Sequence, residues 1–392
     1  MERLLLPLCI GILFYLAVPG IGAFTTRAKW RGFRKRIIEI SLRPEVTYAV
    51  LRRSRGFGNY RVVGTLKAIQ GENTIWIKSG GVSVAAELSG VDVYVLPAAE
   101  ASRREDRIEH YEDTMAEVMP ARVSWNSIFS LPEGTELLVS GALYIEKGSG
   151  VFRSSPETPL TVVIFEGPVD TLVPRSIWIG RHKNEYWNRF TPISVTAGSF
   201  ALFIIAYTLF KVPLLRFQAM LTLVMSLVPA IPFLPPGVLL YFFYRASWKR
   251  ARLLRAERDL VRLPLRYFEG QDPRLSPATL PTGELYGLVF YPSCSEALMK
   301  IETATIRKSI LVSKDEVAAK ECWVFGALSD RTVSKPQDRF SELVCLPGNP
   351  EELAKRCSNA ARRMELLSGL LFLSAFLINS LLLLVLINIL IP

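Results

Sequence analysis

The two histidines are the first residues to test for chemistry, because imidazole serves as a general base and as a metal ligand. His110 lies close to Glu112 and Asp113, a spacing compatible with a base oriented by a carboxylate. The mixed acidic and basic residues around it favour a solvent-exposed helix face instead. His182 lies among aromatic residues beside a long apolar segment, where an anchor at the membrane interface is the favoured interpretation. We therefore predict no catalytic residue.

The cysteines and glycines do not form a signature for a metal or a cofactor. There is no Cys-x-x-Cys spacing, and the odd number of scattered cysteines predicts reduced thiols rather than disulfides. The glycine-bearing stretches GGVSVAAELSG and KGSGVFRSS lack the spacing of a phosphate-binding loop, so we interpret them as turns. We expect no cofactor. The five cysteines are Cys9, Cys294, Cys322, Cys345 and Cys357.

The sequence contains four long segments without any charged residue or histidine. Any functional site must be positioned by these segments or by the regions that connect them. The segments cover residues 4–24, 192–210, 217–244 and 366–391. Each is close to or above the roughly 20 residues that a helix needs to cross a bilayer, so four transmembrane helices are predicted. The first segment also has the small residues of a signal-peptide cleavage site, but the basic residues behind it favour an uncleaved anchor.

Basic residues are concentrated beside these segments. Residues 27–55 hold ten Lys or Arg against two Glu, a net charge of +8, and residues 245–266 hold eight against two acidic residues, a net charge of +6. This distribution predicts cytoplasmic segments near anionic headgroups and does not indicate a nucleic-acid site. The residues predicted to face lipid are Arg27, Lys29, Arg31, Arg34, Lys35, Arg36, Lys249, Arg250, Arg252 and Arg255.

Two regions between the apolar segments have the pattern of β-strands. Residues 25–191 contain runs rich in Val, Ile and aromatic residues, together with a predicted helix over 97–119. Residues 245–365 begin with a basic helix and contain further predicted strands, including one over 297–306. The predicted fold is a multi-pass α-helical membrane protein with two small β-rich domains of α+β type, with an OB-like or similarly curled sheet as one option.

The third apolar segment contains a cluster of helix-breaking residues, Pro229, Pro232, Pro235, Pro236 and Gly237. Each internal proline removes a backbone hydrogen bond, so we predict two helical pieces separated by a broken segment. A single kinked helix is the simpler alternative. A hinge between the membrane helices and the second β-region is a further hypothesis.

The tripeptide Gly-Ala-Leu occurs at residues 141–143 and 326–328, late in each β-region, which suggests a duplication or merely a common strand rhythm. Residues 324–376 place a strand, a turn, FSELVCLP and a PEELAKR helix before an apolar segment. This order resembles the end of the GIDE domain, also called the beside-a-membrane domain, of membrane proteins. The resemblance implies an interaction domain next to a membrane. The RING module that carries ubiquitin-ligase activity in that family has no counterpart in the Cys and His spacing here.

These observations favour an interaction or scaffold protein of the inner cell membrane, with both β-regions in the cytoplasm. The expected partners are anionic lipid headgroups and an unidentified protein, and an enzymatic role is less favoured. Two alternatives stay open, a membrane-surface enzyme and an accessory subunit of a transport complex.

Overall fold

The protein is described by a computed structural model, in which the chain forms two compact units. The helical unit comprises Met1–Phe33, His182–Leu254 and Ser358–Pro392, and the β unit comprises Arg34–Arg181 and Arg255–Cys357. The structure describes residues 2–52, 55–96, 108–110, 120–128, 130–146, 148–178, 181, 186–301, 306–308, 311–312, 314–329 and 332–390.

Ten α-helices are found among the described residues. They are α1 (Glu2–Gly11), α2 (Val18–Ser41), α3 (Tyr48–Leu51), α4 (Leu172–Trp178), α5 (Thr191–Phe210), α6 (Arg216–Ser226), α7 (Gly237–Val261), α8 (Cys294–Lys300), α9 (Lys314–Val317) and α10 (Pro350–Leu390). Within this part of the chain, three helices are long and apolar enough to cross a membrane, over Leu4–Ser41, Thr191–Phe210 and Pro350–Ile389.

A π-helical turn, Ile12–Ala17, joins α1 to α2 inside the first apolar helix. Such a turn shifts the backbone hydrogen bonds, and polar groups of α5 contact the turn. The Ser194 hydroxyl donates to the Phe14 carbonyl at 2.7 Å, and the Tyr15 hydroxyl is 2.8 Å from Ser199 Oγ. Gly198 lies directly against Phe14, where a Cβ atom would come within 2.6 Å of the Phe14 side chain. The irregular turn is therefore fixed by close packing against α5.

The third apolar segment is broken at its prolines. Helix α6 ends at Ser226, a short 3₁₀-helix covers Ile231–Phe233, and α7 begins at Gly237. The prediction of two helical pieces is confirmed, and the alternative of one kinked helix is wrong. Of the four predicted membrane-crossing helices, the three over the first, second and fourth apolar segments are long and apolar enough to cross a membrane. Residues 217–244 do not form one continuous helix.

Among its described residues, the first β-region contains nine strands. They are β1 (Arg55–Gln70), β2 (Thr74–Ser79), β3 (Val82–Glu87), β4 (Asp92–Val95), β5 (Ile108–His110), β6 (Ala121–Ser124), β7 (Glu136–Glu146), β8 (Ser149–Arg153) and β9 (Thr161–Ile164). Their inward positions alternate with polar ones, as in β2, where Ile75 and Ile77 are fully buried. Gly80, at φ +55°, makes the turn from β2 to β3.

The long strand β1 closes five of these strands into a ring. It pairs with β2 along one edge and with β7 along the other, from Arg55 opposite Glu146 to Thr65 opposite Glu136. Strands β2 and β3 are antiparallel, β3 and β8 are parallel, and β8 returns to β7 antiparallel. The sheet then extends from β7 through β9 and β4 to β6. Val62, Val84, Leu143 and Phe152 fill the interior of the ring.

The second β-region contributes most of the strands of a second sheet. They are β10 (Ala278–Thr279), β11 (Leu285–Tyr291), β12 (Ile306–Lys308), β13 (Cys322–Ser329), β14 (Thr332–Ser334) and β15 (Val344–Pro347). The strand order is β10-β11-β13-β15-β12-β5, and β14 pairs with β13. Strand β5 comes from the first β-region and lies parallel to β12. The two regions thus share a sheet, and both belong to the β unit.

Two predicted elements differ from the structure. The segment predicted as a strand over 297–306 begins as helix α8, because the Ser293 side chain accepts a hydrogen bond from the Glu296 amide at 3.2 Å and caps the helix. Within the predicted helix over 97–119, residues 108–110 form strand β5, and the remainder lies outside the described residues. Pairing with β12 overrides the local helix preference there.

Candidate functional site

The outer face of strand β1 carries a charged residue in a position that is fully buried. Arg61 lies between Tyr60 and Val62, and its side chain has no solvent exposure. Its guanidinium forms an ion pair with Asp338 of the second β-region and donates to the Ser41 carbonyl. The ring of Phe340 lies 4.3 Å from the guanidinium carbon. Burial lowers the pKa of Arg61, an effect that Asp338 opposes.

Asp338 is supported by a chain of hydrogen bonds within the second β-region. Ser341 Oγ donates to the Asp338 carboxylate at 2.8 Å, and Tyr267 Oη is 2.7 Å from Ser341 Oγ. Arg266 donates to Tyr267 Oη at 2.6 Å and to the Phe340 carbonyl at 2.7 Å. A buried ion pair needs such additional bonds, because each ion has lost its hydration. The network fixes residues 338–341 against the outer face of the ring.

A cavity of about 340 Å³, here called the β1–β2 cavity, lies beside this ion pair. Strand β1, the β2–β3 turn and the start of β7 form one side, and the second β-region contributes Arg339. Its volume is near the lower end of the usual range for ligand pockets, about 300 to 1,000 Å³. The lining residues are Val63, Gly64, Thr65, Lys78, Ser79, Gly80, Glu136, Phe165, Val169 and Arg339.

Gly64 sets the floor of the β1–β2 cavity, because β1 and β2 approach closely at this point. A Cβ atom on Gly64 would lie 2.2 Å from the carbonyl oxygen of Lys78, so no larger residue fits without moving the backbone. The exposed Arg339 side chain also lines the cavity and donates to the Val63 carbonyl at 3.4 Å. The close approach of β1 and β2 beside the cavity therefore depends on Gly64.

Three ionisable side chains face the β1–β2 cavity, namely Lys78, Arg339 and Glu136. Glu45 lies close enough to Arg339 for the two charges to interact. Burial raises the pKa of Glu45, while Arg339 and Arg61 oppose that shift. The three lining side chains sum to a formal charge of +1, which Glu45 offsets when it is ionised. Lys78 and Arg339 suit an anionic group of a ligand, and Glu136 suits a hydrogen-bond donor.

The predicted lipid-facing residues lie on two helices. Those of the first basic segment are on α2, where Lys29, Arg31 and Lys35 are exposed. Those of the second segment are on α7, where Arg250 is exposed and Arg252 is buried with its guanidinium 4.7 Å from the Trp248 ring. Arg252 is thus less accessible than Arg250. Contact of all ten predicted residues with lipid headgroups stays a prediction.

The predicted hinge residues come together with a side chain of α10. Asn379 Nδ2 donates to the carbonyls of Ile231 and Leu234, each at 2.7 Å, and Asn379 Oδ1 accepts from the Gly237 amide at 3.2 Å. One amide side chain therefore bonds to three backbone groups at the proline break, and for the Gly237 amide it replaces the missing helical partner. The break contains Pro229, Pro232, Pro235, Pro236 and Gly237, and its role as a hinge stays a hypothesis.

The remaining residues considered for chemistry do not assemble into a site. His110 lies on strand β5, and His182 lies outside the described residues. Within the described part of the chain, no group of three or more His, Cys, Asp or Glu could hold a metal ion. Cys294, Cys322 and Cys345 are fully buried. The hydrogen bond between the Cys294 and Cys322 thiols, together with burial, raises the pKa of Cys294, which makes it a poor nucleophile.

Sequence reasoning missed Arg61, Asp338 and the β1–β2 cavity. The sequence contained one indication of Arg61. It lies in YRVVG, a predicted strand segment in which the other side chains are mostly apolar, and such a position is compatible with a buried charge. Its partner was not detectable, because Asp338 is 277 residues away in an ordinary polar turn. Comparison with known proteins finds no matching family model, no matching curated protein and no matching solved structure.

Proposed function

We propose that this protein is a membrane-anchored interaction protein that presents its β unit at the cytoplasmic surface of a cell membrane and holds a partner there. The observation that carries the proposal is the β1–β2 cavity, formed by two β-regions that a buried ion pair fastens together. Three helices apolar enough to cross a membrane support the anchoring. A multi-pass arrangement in an inner membrane is part of the proposal.

The strand order supports an OB-type barrel for the ring. The five strands follow the order β1-β2-β3-β8-β7-β1, with a long shared first strand and one parallel pair between β3 and β8. OB-folds are five-stranded barrels that bind their ligands on the face of their second and third strands. Lys78 and Ser79 of β2 line the cavity, so the proposed site includes one of those two strands.

The resemblance to the GIDE domain also remains part of the proposal. Strands β13 and β15 and helix α10 follow one another in the order on which that resemblance rests, and α10 continues from Pro350 into the last apolar segment. A role beside a membrane fits this order. Anionic lipid headgroups are the second proposed partner, bound by the exposed basic residues of α2 and α7.

Orientation is tested by cysteine labelling, for which the native thiols of the β unit are unsuitable because they are buried. Cys9 is exposed and is first replaced by serine. Single cysteines are then introduced by Ser149→Cys and Leu275→Cys, at exposed positions of the β unit. A membrane-impermeant maleimide should label both only after permeabilisation of intact cells. Labelling of intact cells would contradict the cytoplasmic orientation.

Partner binding is tested by filling the cavity. Thr65→Trp places an indole in the β1–β2 cavity, and Ser149→Trp places the same side chain on an exposed strand outside it. Cross-linking in native membranes, followed by purification, should recover a stoichiometric partner with the wild type and Ser149→Trp but not with Thr65→Trp. Equal recovery from Thr65→Trp would show that the cavity does not hold the partner.

A further inference from the structure

We infer that the β1–β2 cavity binds an acidic peptide segment, with Lys78 and Arg339 receiving a carboxylate and Glu136 accepting a peptide N–H. This inference rests on the proposed function, because it names the chemical class of the partner at the same site. It concerns recognition only and requires no reaction.

Lys78 lacks the ion pairs that two arginines of the first β-region form. Arg153 pairs with Glu87 and Glu146, each at 3.0 Å, and Arg122 pairs with Asp92. Within the described part of the chain, the exposed Lys78 ammonium forms no salt bridge. Lys78 therefore retains its full capacity for an anion from outside the chain.

Arg339 is positioned before any ligand arrives. Its neighbours Asp338 and Phe340 are both buried against Arg61, and its own guanidinium donates to the Val63 carbonyl at 3.4 Å. A guanidinium carries five N–H donors, so this bond leaves others for a carboxylate. The backbone that carries Arg339 is fixed by its buried neighbours, so less conformational entropy is lost there on binding.

Glu136 favours a peptide over a phosphate. It lines the same cavity as the two cations, and its carboxylate would repel a dianionic phosphate more strongly than a single carboxylate. A peptide also brings backbone N–H donors next to its acidic side chain, which Glu136 accepts. Val63, Phe165 and Val169 provide apolar walls for the methylene groups of such a segment.

The test uses the full chain in nanodiscs of neutral lipid and a fluorescent hexapeptide of alternating glutamate and valine. A peptide with glutamine in place of glutamate is the neutral comparison. The acidic peptide should bind at least about tenfold more tightly than the neutral peptide, a difference of about 1.4 kcal/mol in binding free energy. Its affinity should fall as the salt concentration rises.

Lys78→Glu should weaken binding of the acidic peptide by about tenfold or more. Lys67→Glu is the matched control, because Lys67 is exposed on the neighbouring strand β1, does not line the cavity and undergoes the same change of charge. It should change the affinity less than about twofold, as expected for a screened surface charge. Equal effects of the two variants would overturn the inference by showing a general charge effect.

The remaining outcomes separate this inference from the proposed function. If Thr65→Trp abolishes peptide binding while Lys78→Glu leaves it unchanged, the cavity binds a partner without recognising an anion, and only the inference fails. If inorganic phosphate displaces the peptide at equal concentration, the ligand class is a phosphate and the inference is overturned. If binding requires anionic lipid in the nanodisc and occurs without the cavity cations, a lipid surface is the true ligand.

Discussion

The β unit and the helical unit bury polar groups with different side chains. The β unit buries a full ion pair, Arg61 with Asp338, and surrounds it with hydroxyl and carbonyl groups. At its proline break the helical unit buries a neutral amide, Asn379, which bonds to three backbone groups. The cost of burying a charge is higher in an apolar bundle, so a neutral group that both donates and accepts suits that place.

The ion pair of the β unit depends more strongly on its partner than the amide of the helical unit does. An ion pair that loses one member leaves an uncompensated charge, whereas an amide that is lost leaves neutral backbone groups. Substitutions at the two places should therefore differ in their effect on stability.

Replacing Asp338 by alanine should destabilise the β unit by about 3 to 5 kcal/mol, because Arg61 would remain buried without its counter-ion. The measurement is hydrogen exchange of strand β1 in nanodiscs, where protection of Tyr60 to Val63 should fall sharply. The double variant Arg61→Met with Asp338→Leu should recover much of the loss. A double variant as unstable as Asp338→Ala would show that the shape of the side chains, not the charge, determines stability here.

Replacing Asn379 by leucine should destabilise the break by about 1 to 3 kcal/mol, because the buried Gly237 amide loses its partner. The carbonyls of Ile231 and Leu234 each lose one of two hydrogen bonds and keep their backbone partners, Leu234 and Val238. Asn388→Leu is the control, since Asn388 lies on the same helix but is exposed. Hydrogen exchange should accelerate over residues 231–238 in the first variant and stay unchanged in the second. Faster exchange in both would attribute the effect to α10 in general.

Replacing Gly237 by alanine should have a smaller effect of the same kind. The new Cβ atom would lie 2.2 Å from Asn379 Nδ2 and 3.0 Å from the Ala375 carbonyl, so the amide must shift from its hydrogen bonds. At Gly369, on the same helix as Asn379, a Cβ atom would meet nothing within 4 Å, and Gly369→Ala should raise the melting temperature slightly. A higher melting temperature for Gly237→Ala would contradict the tight contact.

The smallest predicted effect concerns Glu45 and pH. Its pKa is raised in the folded state, chiefly by burial, so ionising it costs stability as the pH rises above its ordinary value near 4.5. Glu45→Gln should therefore raise the melting temperature slightly at pH 7. The difference from the wild type should vanish below about pH 4, where the carboxyl is protonated in both states. A variant less stable at pH 7 would show that attraction to Arg339 outweighs burial.

Prediction from the sequence succeeded where the signal is local. The break at the prolines followed from missing N–H groups, and the helix from Pro350 into the last apolar segment followed from its first-turn Glu351 and Glu352. It failed at residues 297–300, where one capping bond from Ser293 selects a helix over a strand. The burial of Arg252 beside Trp248 was not predicted, since it depends on how the helix packs.

Apolar helices of membrane length that alternate with β-rich regions are predictable from the sequence, because runs of about 20 uncharged residues and alternating β-branched residues express local preferences. The pairing of β1 with β7 that closes a ring, and the contact of Arg61 with Asp338 across 277 residues of chain, are known from the folded protein alone. Strand pairing and ion pairing depend on which distant segments come together, and no local pattern specifies that. The β1–β2 cavity, which both β-regions line, exists only after that choice is made.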